Sequence, residues 1–439
     1  MEGYGEEALY ELYRKHPRIC IDSRCVASGD LFIGLAGTQV QGNRYAQAAL
    51  DAGAAYAIVD DPSVVVVTDE RYVLVPDSLL ALQGLATEHR RRHRMPVLAI
   101  TGSNGKTTTK ELIYAVMARR YRVHVTPGNY NNHLGLPLTI LSTPEDTEMT
   151  ILEMGANHQG EIAELCRIGQ PTHGLITNIG QAHLEGFGGI EGVIIGKGEL
   201  YTWLAQNKGV AFVNADEDHL TKMSAGLERI IRYKESDAPS REEPGQEVKV
   251  YRLHPTIDIG FLDENGNLQG CEVQLSGRHN LQNIKAAVGV GKYFKVSGEE
   301  IATGLAAYRS ENHRSQLLDH RGVSFYWDAY NANPSSMEAA LRSFATDHAA
   351  IDAVVILGEM LELGDAAPAA HRKIVLLAGQ SARMVALVGP AMAAVAQEFD
   401  LPWFEDSAAL ADWFWVQDWA GKTIFVKGSR GNQLERLLT

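Results

Sequence analysis

Short apolar runs alternate with amphipathic stretches along the chain, and the alternation changes character twice, which divides it into three segments. Up to about residue 82 the runs are short. DLFIGL at 30–35, YAIVD at 56–60, VVVVTD at 64–69 and YVLVP at 72–76 each predict a strand, and YAQAALDAGA has helical spacing. Together they predict a small α/β unit. LLALQGLATEHRRRHR (79–94) also has helical spacing and ends in Arg90, Arg91, Arg92, His93 and Arg94. No aromatic residue interleaves with these cations, so they read as the solvated end of a helix rather than an RNA-binding strip.

The second segment opens with PVLAITG (96–102), an apolar strand running into a glycine turn, followed by KTTTKELIYAVMARR with helical spacing. MTILEMGA (149–156), HGLITNI (173–179) and GVAFVNAD (209–216) predict further strands. Between about 235 and 275 a polar loop, ESDAPSREEPGQE, gives way to the alternating runs KVYRLH and IDIGFLD, with DENGN as a hairpin turn, and the helix HNLQNIKAAVGVGKYF closes the segment. From about 310 one unit repeats four times: VSFYWDAY leads to SSMEAALRSF, AVVILG to APAAHRKIVLLAG, MVALVG to PAMAAVAQEF, and TIFVKG to NQLERLL. Strand, loop and helix in series predict a parallel, doubly wound sheet with right-handed crossovers. Ligands of such sheets sit at the carboxyl ends of the strands, where this chain places Asp328 and Asn331, Glu359 and Glu362, and Lys427 and Arg430. The expected fold class is therefore α/β with domains at 1–82, 83–309 and 310–439.

Bulk composition narrows the function. A chain of 439 residues exceeds one core, and 45% hydrophobic with 21% charged residues is ordinary globular composition. A formal net charge of −14 argues against a nucleic-acid binder but leaves room for an anionic small substrate in a locally basic pocket. Cys20, Cys25, Cys166 and Cys271 form no CxxC pair, so free thiols in a reducing compartment are expected. MEGYGEEALYELYRKHPR at the start is acidic and amphipathic without an apolar signal core, and no stretch approaches the ~20 apolar residues of a membrane span. A cytoplasmic protein is expected.

The chemistry begins at TGSNGKTTTKEL (101–112). Gly102 and Gly105 let the backbone approach phosphate oxygens, with Ser103 and Asn104 between them, and the next helix turns its N-terminus to the same anion. Lys106 offers a point charge to the β- and γ-phosphates, and Thr107, followed by Thr108, offers a hydroxyl to Mg²⁺. Ile100 stands where a standard P-loop has its first glycine. The chain's Asn207-Lys208 pair is followed by Gly209-Val210, so the base-reading NKxD of a GTPase has no support. Glu153 ends the apolar strand ILEMG and would complete a Mg²⁺ shell with Thr107. On residue type alone His183 and Lys197 read as a structural histidine and a surface lysine, and a regulatory nucleotide switch remains an alternative to an enzyme.

TGSNGKTTTKEL closely resembles the ATP loop of the Mur ligases. So do GNYNNHLGLPLTIL (128–141), EMGANHQGEI (153–162), AHLEGFG (182–188), KGEL (197–200), SGRHNLQN (276–283), DAYNANPSSMEAAL (328–341), LGEMLELG (357–364) and VKGSRG (426–431), in family order over essentially the whole chain. IDSRCVASGDLFIGLAG (21–37) resembles the family's UDP-sugar domain. The resemblance implies a small UDP-sugar domain, a central P-loop domain and a Rossmann-like C-terminal domain. It implies a monomeric ATP- and Mg²⁺-dependent amide ligase acting through an acyl phosphate, with the third domain closing over ATP during turnover. NYNNHLG, GANHQGEI and DAYNANPSSM point to the branch that adds D-alanyl-D-alanine to UDP-N-acetylmuramoyl-tripeptide. Diacid-adding relatives, the alternative within the family, tend to carry a histidine where Asn331 stands. Further implied roles are Glu153 on Mg²⁺, His183 near a second Mg²⁺, Lys197 as a carbamate ligand, and Asn280 and Asn283 at the adenine. Arg314, with Arg309 close by, would meet the γ-phosphate. Asp328 would meet the ribose, with Tyr330 and Asn331 beside it. Asp22, Ser23 and Arg24 would hold the UDP-sugar, while Asn131, Asn132, His133, Lys427 and Arg430 would face the other substrates. Pro334, Ser335 and Glu338 read as a capping box that starts a helix.

Overall fold

Each of the three segments builds its own sheet. The computed structural model describes residues 5–37, 40–240, 246–310 and 314–439. The first sheet has four parallel strands in chain order, Ile19–Cys20, Leu31–Ile33, Tyr56–Val59 and Tyr72–Leu74. VVVVTD does not form the expected strand. It is a surface turn closed by Asp69 N–H to Val66 O at 2.8 Å, with Val67 83% exposed, so β-branched composition found no neighbouring edge to pair with.

Two helices fasten this sheet to the next. The amphipathic start forms Glu6–Lys15 and buries Leu9, Tyr10 and Tyr13. The basic stretch forms Ser78–Arg92, capped by the Asp77 carboxylate accepting from Leu80 N–H. The second helix runs unbroken across the expected 82/83 boundary. Leu9, Ile33, Ile58 and Val73 share one apolar core with Leu82, Val97, Leu152 and Ile176. Arg90 is buried and donates to Gly169 O and Gln170 O, so part of the basic run is internal wiring rather than solvated surface.

The central sheet has nine strands in the order Leu268–Val273, Ile257–Leu262, Gln246–Arg252, Ile230–Glu235, Val210–Asn214, His173–Ile176, Val97–Thr101, Met149–Glu153, Val123–Val125. Val97–Thr101 is buried throughout, as a parallel strand covered on both faces must be, which explains its unbroken apolar run. Its register pairs Ile100 with Glu153. Ile100 is therefore a strand residue at 0% exposure, and the phosphate loop starts two residues later.

The C-terminal sheet has six strands, in the order Gln316–His320, Val323–Asp328, Thr423–Lys427, Ala353–Gly358, Met384–Val388, Trp403–Phe404. All neighbours are parallel except the first pair. That edge hairpin, the strand at Trp403 and the helix Ser407–Phe414 add to the four expected units. NQLERLL forms 3₁₀ turns, Arg430–Asn432 and Leu434–Leu438, instead of a helix, because Gln433 adopts a left-handed conformation at φ 49°. The helix after DAYNAN spans Pro334–Asp347, and its cap differs from the expected one. Asn333 accepts from Ser336 N–H, the Ser336 hydroxyl accepts from Asn333 N–H, and Glu338 instead pairs with Arg342 and Lys373. Among the described residues no helix is long and apolar enough to cross a membrane, and the four cysteines are free thiols.

Candidate active site

The carboxyl ends of the central and C-terminal sheets face each other across a cleft of about 690 Å³. The phosphate loop forms one wall, and it is held open by the neighbouring segment 177–180. Asn104 O accepts from Thr177 Oγ1 at 2.6 Å and Asn178 Nδ2 at 3.0 Å, while Asn104 N–H donates to Asn178 Oδ1 at 3.1 Å. Ser103 Oγ donates to Gly180 O at 3.0 Å. Gly105 must be glycine twice over: its φ is +76°, and a Cβ would stand 2.5 Å from Asn283 Oδ1. The helix Lys106–Met117 starts there. Lys106 Nζ, at the mouth of the loop, donates to Gly102 O at 2.8 Å. Burial pulls its ammonium below the usual range, opposed by Glu153 and reinforced by Arg314. Main-chain N–H groups, a helix N-terminus and one lysine make an anion site of the kind phosphates occupy.

Glu153 lies behind the loop, where strand register placed it. Its Oε1 accepts from Thr107 Oγ1 at 3.2 Å and from Asn131 Nδ2 at 2.8 Å, while its buried Oε2 has no hydrogen bond. Among the described residues no group of three or more His, Cys, Asp or Glu side chains gathers as a metal site. Mg²⁺ carried on nucleotide phosphates needs only one or two protein oxygens, and the Thr107 hydroxyl beside a carboxylate with an unused oxygen fits that demand.

Lys197, on the helix Ile190–Gln206, is 1% exposed and sits under the floor rather than on it. Its Nζ donates to Ala156 O at 3.0 Å and lies 4.9 Å from the centre of the Phe187 ring. Burial, with Lys106 adding to it, holds this amine well below the usual lysine range. The reading of Lys197 as a surface charge fails on burial alone. His183, in a left-handed conformation at φ 53°, places Nδ1 2.5 Å from Glu362 Oε2 of the C-terminal unit. That contact draws the Glu362 carboxyl below its ordinary range.

The opposite wall comes from the C-terminal sheet. Strand register sets Asp328 beside Lys427, and Lys427 Nζ donates to Asp328 Oδ2 at 2.6 Å and to Asn331 O at 3.0 Å. Burial alone would raise the Asp328 carboxyl, but Lys427 overrides it and holds the group ionised. Lys427 lines the cleft and is paired there with Asp328. The Arg314 guanidinium stacks 3.8 Å over the Tyr330 ring, with Arg430 5.4 Å from the same ring. Arg314 lines the cleft, whereas Arg309 caps the preceding helix by donating to Ala306 O and Tyr308 O.

The two walls also touch directly. Asn104 Nδ2 donates to Ser335 Oγ at 3.0 Å, and Asn333 Nδ2 donates to Asn104 Oδ1 at 2.8 Å. At the far end of the same helix Asp347 meets His254 and accepts from Ser276 Oγ at 2.8 Å. On the helix Arg278–Tyr293, Asn280 and Asn283 line the cleft but are already engaged. Asn280 Nδ2 donates to Ser276 O, and Asn283 Oδ1 accepts from Thr109 Oγ1. Asn131, Asn132 and His133 line the cleft near Glu153. Asp22, Ser23 and Arg24 lie outside its lining, in a 3₁₀ turn between the first two strands of the first sheet, where Asp22 is paired with Arg24 at 2.7 Å. Sequence reasoning passed over Lys110, Asn178 and Asn333. The spacing Lys106-x-x-x-Lys110 marked the first, and nothing local marked the other two.

Three family models match the chain: "Mur ligase family, catalytic domain" over 17–90, "Mur ligase middle domain" over 100–291 and "Mur ligase, glutamate ligase domain" over 313–430. The chain is 35% identical over 362 residues to the UDP-N-acetylmuramoyl-tripeptide–D-alanyl-D-alanine ligase of Bacillus subtilis, covering 81% of this chain and 76% of that protein. A crystal structure of MurF from Acinetobacter baumannii superimposes with a TM-score of 0.86 at 28% identity, covering 100% and 98% of the two chains. MurF of Thermotoga maritima in complex with ADP gives 0.82 at 26% identity, covering 96% of each. Three domain models in family order and a relative at that identity establish that the chain belongs to the Mur ligase family.

Proposed function

We propose that the chain joins D-alanyl-D-alanine to UDP-N-acetylmuramoyl-tripeptide in peptidoglycan precursor synthesis, with ATP split to ADP and phosphate. The observation that carries the reading is one cleft that holds a phosphate loop, an unsatisfied carboxylate and the Asp328–Tyr330–Asn331 strand end together. A carboxylate has no leaving group, so ATP must first convert the tripeptide's terminal carboxylate to an acyl phosphate. The dipeptide amine then attacks the acyl carbon, sheds a proton, and phosphate departs. Lys106 and Arg314 face the anions that must meet in the first step, and lowering that repulsion is electrostatic catalysis joined to positioning. Mg²⁺, when bound through Thr107 and Glu153, neutralises phosphate charge. Asp328, kept ionised by Lys427, suits a ribose hydroxyl, and Asn331 rather than histidine beside it favours the dipeptide over a diacid.

The domains at 1–82, 83–309 and 310–439 take the UDP-sugar, ATP, and the closing role respectively, with Asp22, Ser23 and Arg24 serving the sugar nucleotide. Lys197 suits carbamylation: burial lowers the amine's hold on its proton, and the free amine can add to CO₂ and shed a proton, leaving anionic oxygens where an ammonium stood. Isotope-labelled bicarbonate followed by NMR reads that adduct directly, and its absence at saturating CO₂ refutes it. A monomer in the cytoplasm, where ATP is available, completes the assignment.

Phosphate release should require both UDP-tripeptide and D-alanyl-D-alanine. Release indifferent to both would make the chain a nucleotide switch, and release with another acceptor would make it a different Mur-type ligase. Lys106→Ala should abolish turnover and keep the fold.

A further inference from the structure

The helix Lys106–Met117 carries a second lysine one turn below the first. Residues four apart share a helix face, so Lys110 points the same way as Lys106 but deeper. It is 3% exposed, where a lysine is almost never found without partners. Its Nζ donates to Thr126 O at 3.0 Å and Gly128 O at 3.3 Å, and lies 3.5 Å from Glu153 Oε2. Two of the three ammonium protons thus go to main-chain carbonyls, and the charge faces Glu153 Oε2 as an ion pair rather than a hydrogen bond, which leaves that oxygen's lone pairs open toward the cleft.

The acceptors belong to two different parts of the site. Glu153 closes the phosphate side. Residues 126–133 form the loop that presents Asn129, Asn131, Asn132 and His133 to the cleft. The loop is stitched to the end of the Glu153 strand by several short bonds. Glu153 N–H donates to Thr126 Oγ1 at 2.9 Å, Gly155 N–H donates to Asn131 O at 2.8 Å, and Asn131 Nδ2 donates to Glu153 Oε1 at 2.8 Å. Lys110 sits beneath that seam as its buried charge. It fixes the carboxylate from the Oε2 side while Thr107 and Asn131 fix it from the other.

We propose that Lys110 is a positioning residue that locks Glu153 and the loop 126–133 into one unit, so that order in the UDP-substrate loop and geometry of the carboxylate behind the phosphates are set together. The role rests on the proposed function, which supplies the UDP-substrate. Lys110 lies below the cleft and is not part of its lining. It acts through the carboxylate and through two main-chain carbonyls whose neighbours face the substrate.

The test compares wild type with Lys110→Met by calorimetry and by amide hydrogen exchange, neither of which needs turnover. Binding of UDP-N-acetylmuramoyl-tripeptide should weaken about tenfold or more, the loss expected when a buried pair loses one member. Metal-free binding of a non-hydrolysable ATP analogue should change less than about threefold, because Lys106 and the loop main chain stay in place. Amides in 126–133 should exchange faster while those of Val97–Thr101 keep their protection. Unchanged UDP-tripeptide affinity with unchanged exchange overturns the proposal, and so does equal weakening of both ligands. Should Lys110→Met fail to fold, Lys110→Arg, which keeps the charge and changes the reach, is read in the same way. If wild type itself does not bind UDP-tripeptide, the substrate reading fails, and the exchange comparison alone still decides whether Lys110 couples the loop to Glu153.

Discussion

Removing the Asn104 side chain tests whether the two walls of the cleft communicate. The loop itself is held through Asn104 main-chain atoms by Thr177 and Asn178. Asn104→Ala therefore leaves the phosphate cradle intact and deletes only the bonds to Ser335 and Asn333. Each neutral hydrogen bond contributes about 0.5–1.5 kcal/mol net, so the pair favours the docked arrangement by about 2 kcal/mol. That amounts to about thirtyfold in the equilibrium between docked and undocked C-terminal units. A fluorescent pair with one dye on each unit reads this population, and steady-state kinetics reads its consequence. Lower transfer and lower kcat are expected, with ATP affinity of the isolated loop little changed. Ser335→Ala, which removes one of the two bonds, should lie midway. The double mutant should show a coupling of about 1 kcal/mol, since the two side chains touch. Unchanged transfer and unchanged kcat in Asn104→Ala would refute the idea that this contact steers docking. Loss of ATP affinity alone would show that the side chain serves phosphate instead.

Other consequences can be checked separately. Gly105→Ala forces a left-handed alanine against Asn283, at a strain of about 1–3 kcal/mol, and isothermal calorimetry should find nucleotide binding largely lost while circular dichroism stays native. Tyr330→Phe keeps the face on which Arg314 stacks and should leave kcat/KM for ATP within about twofold, whereas Tyr330→Leu loses a contact of about 0.5–2 kcal/mol and should lower it about two- to thirtyfold; equal effects from both would refute stacking as the tie. Burial pushes His89, His173 and His279 down to about 4, below their unfolded range. A depressed histidine contributes stability that is complete above its unfolded pKa of about 6.5 and fades as pH falls toward 4, because the unfolded chain takes up protons first. The urea midpoint should fall steadily over that window, and a flat profile between about pH 6.5 and 4.5 would refute it.

Much of the fold was legible because its strands announce themselves. Val97–Thr101 and Ala353–Gly358 are buried on both faces and read as continuous apolar runs, and glycine-rich turns separate them from their helices. VVVVTD misled because a β-branched run predicts a strand only where a partner edge exists, and chain statistics hold no information about edges. The Gln433 break misled for the opposite reason, since a single left-handed residue leaves no compositional mark. At the site, Lys106, Thr107 and Glu153 stood out because a glycine turn between an apolar strand and a helix, and a lone acid at a strand end, frame them, and the structure brings all three into one cleft. Asn178 and Asn333 were not, because their partners lie 74 and 229 residues away and an asparagine announces no such distance. Lys427 was visible as a strand-end cation, but its pairing with Asp328 depends on strand order, in which the last strand inserts between the first two parallel ones.

The core shared by the first sheet, the helix Ser78–Arg92 and the central sheet has a bearing on how the gene can be cut. The C-terminal sheet keeps its own apolar cores, which draw only on residues from Leu318 onward. A fragment ending near Arg309 therefore parts from the rest at polar contacts, and its two pieces are candidates for separate expression and recombination. A cut anywhere between the first and second sheets would instead split one core, baring Leu9, Ile33, Leu82 and Ile162 at once. For a chain with three sheets, the gene has one usable seam.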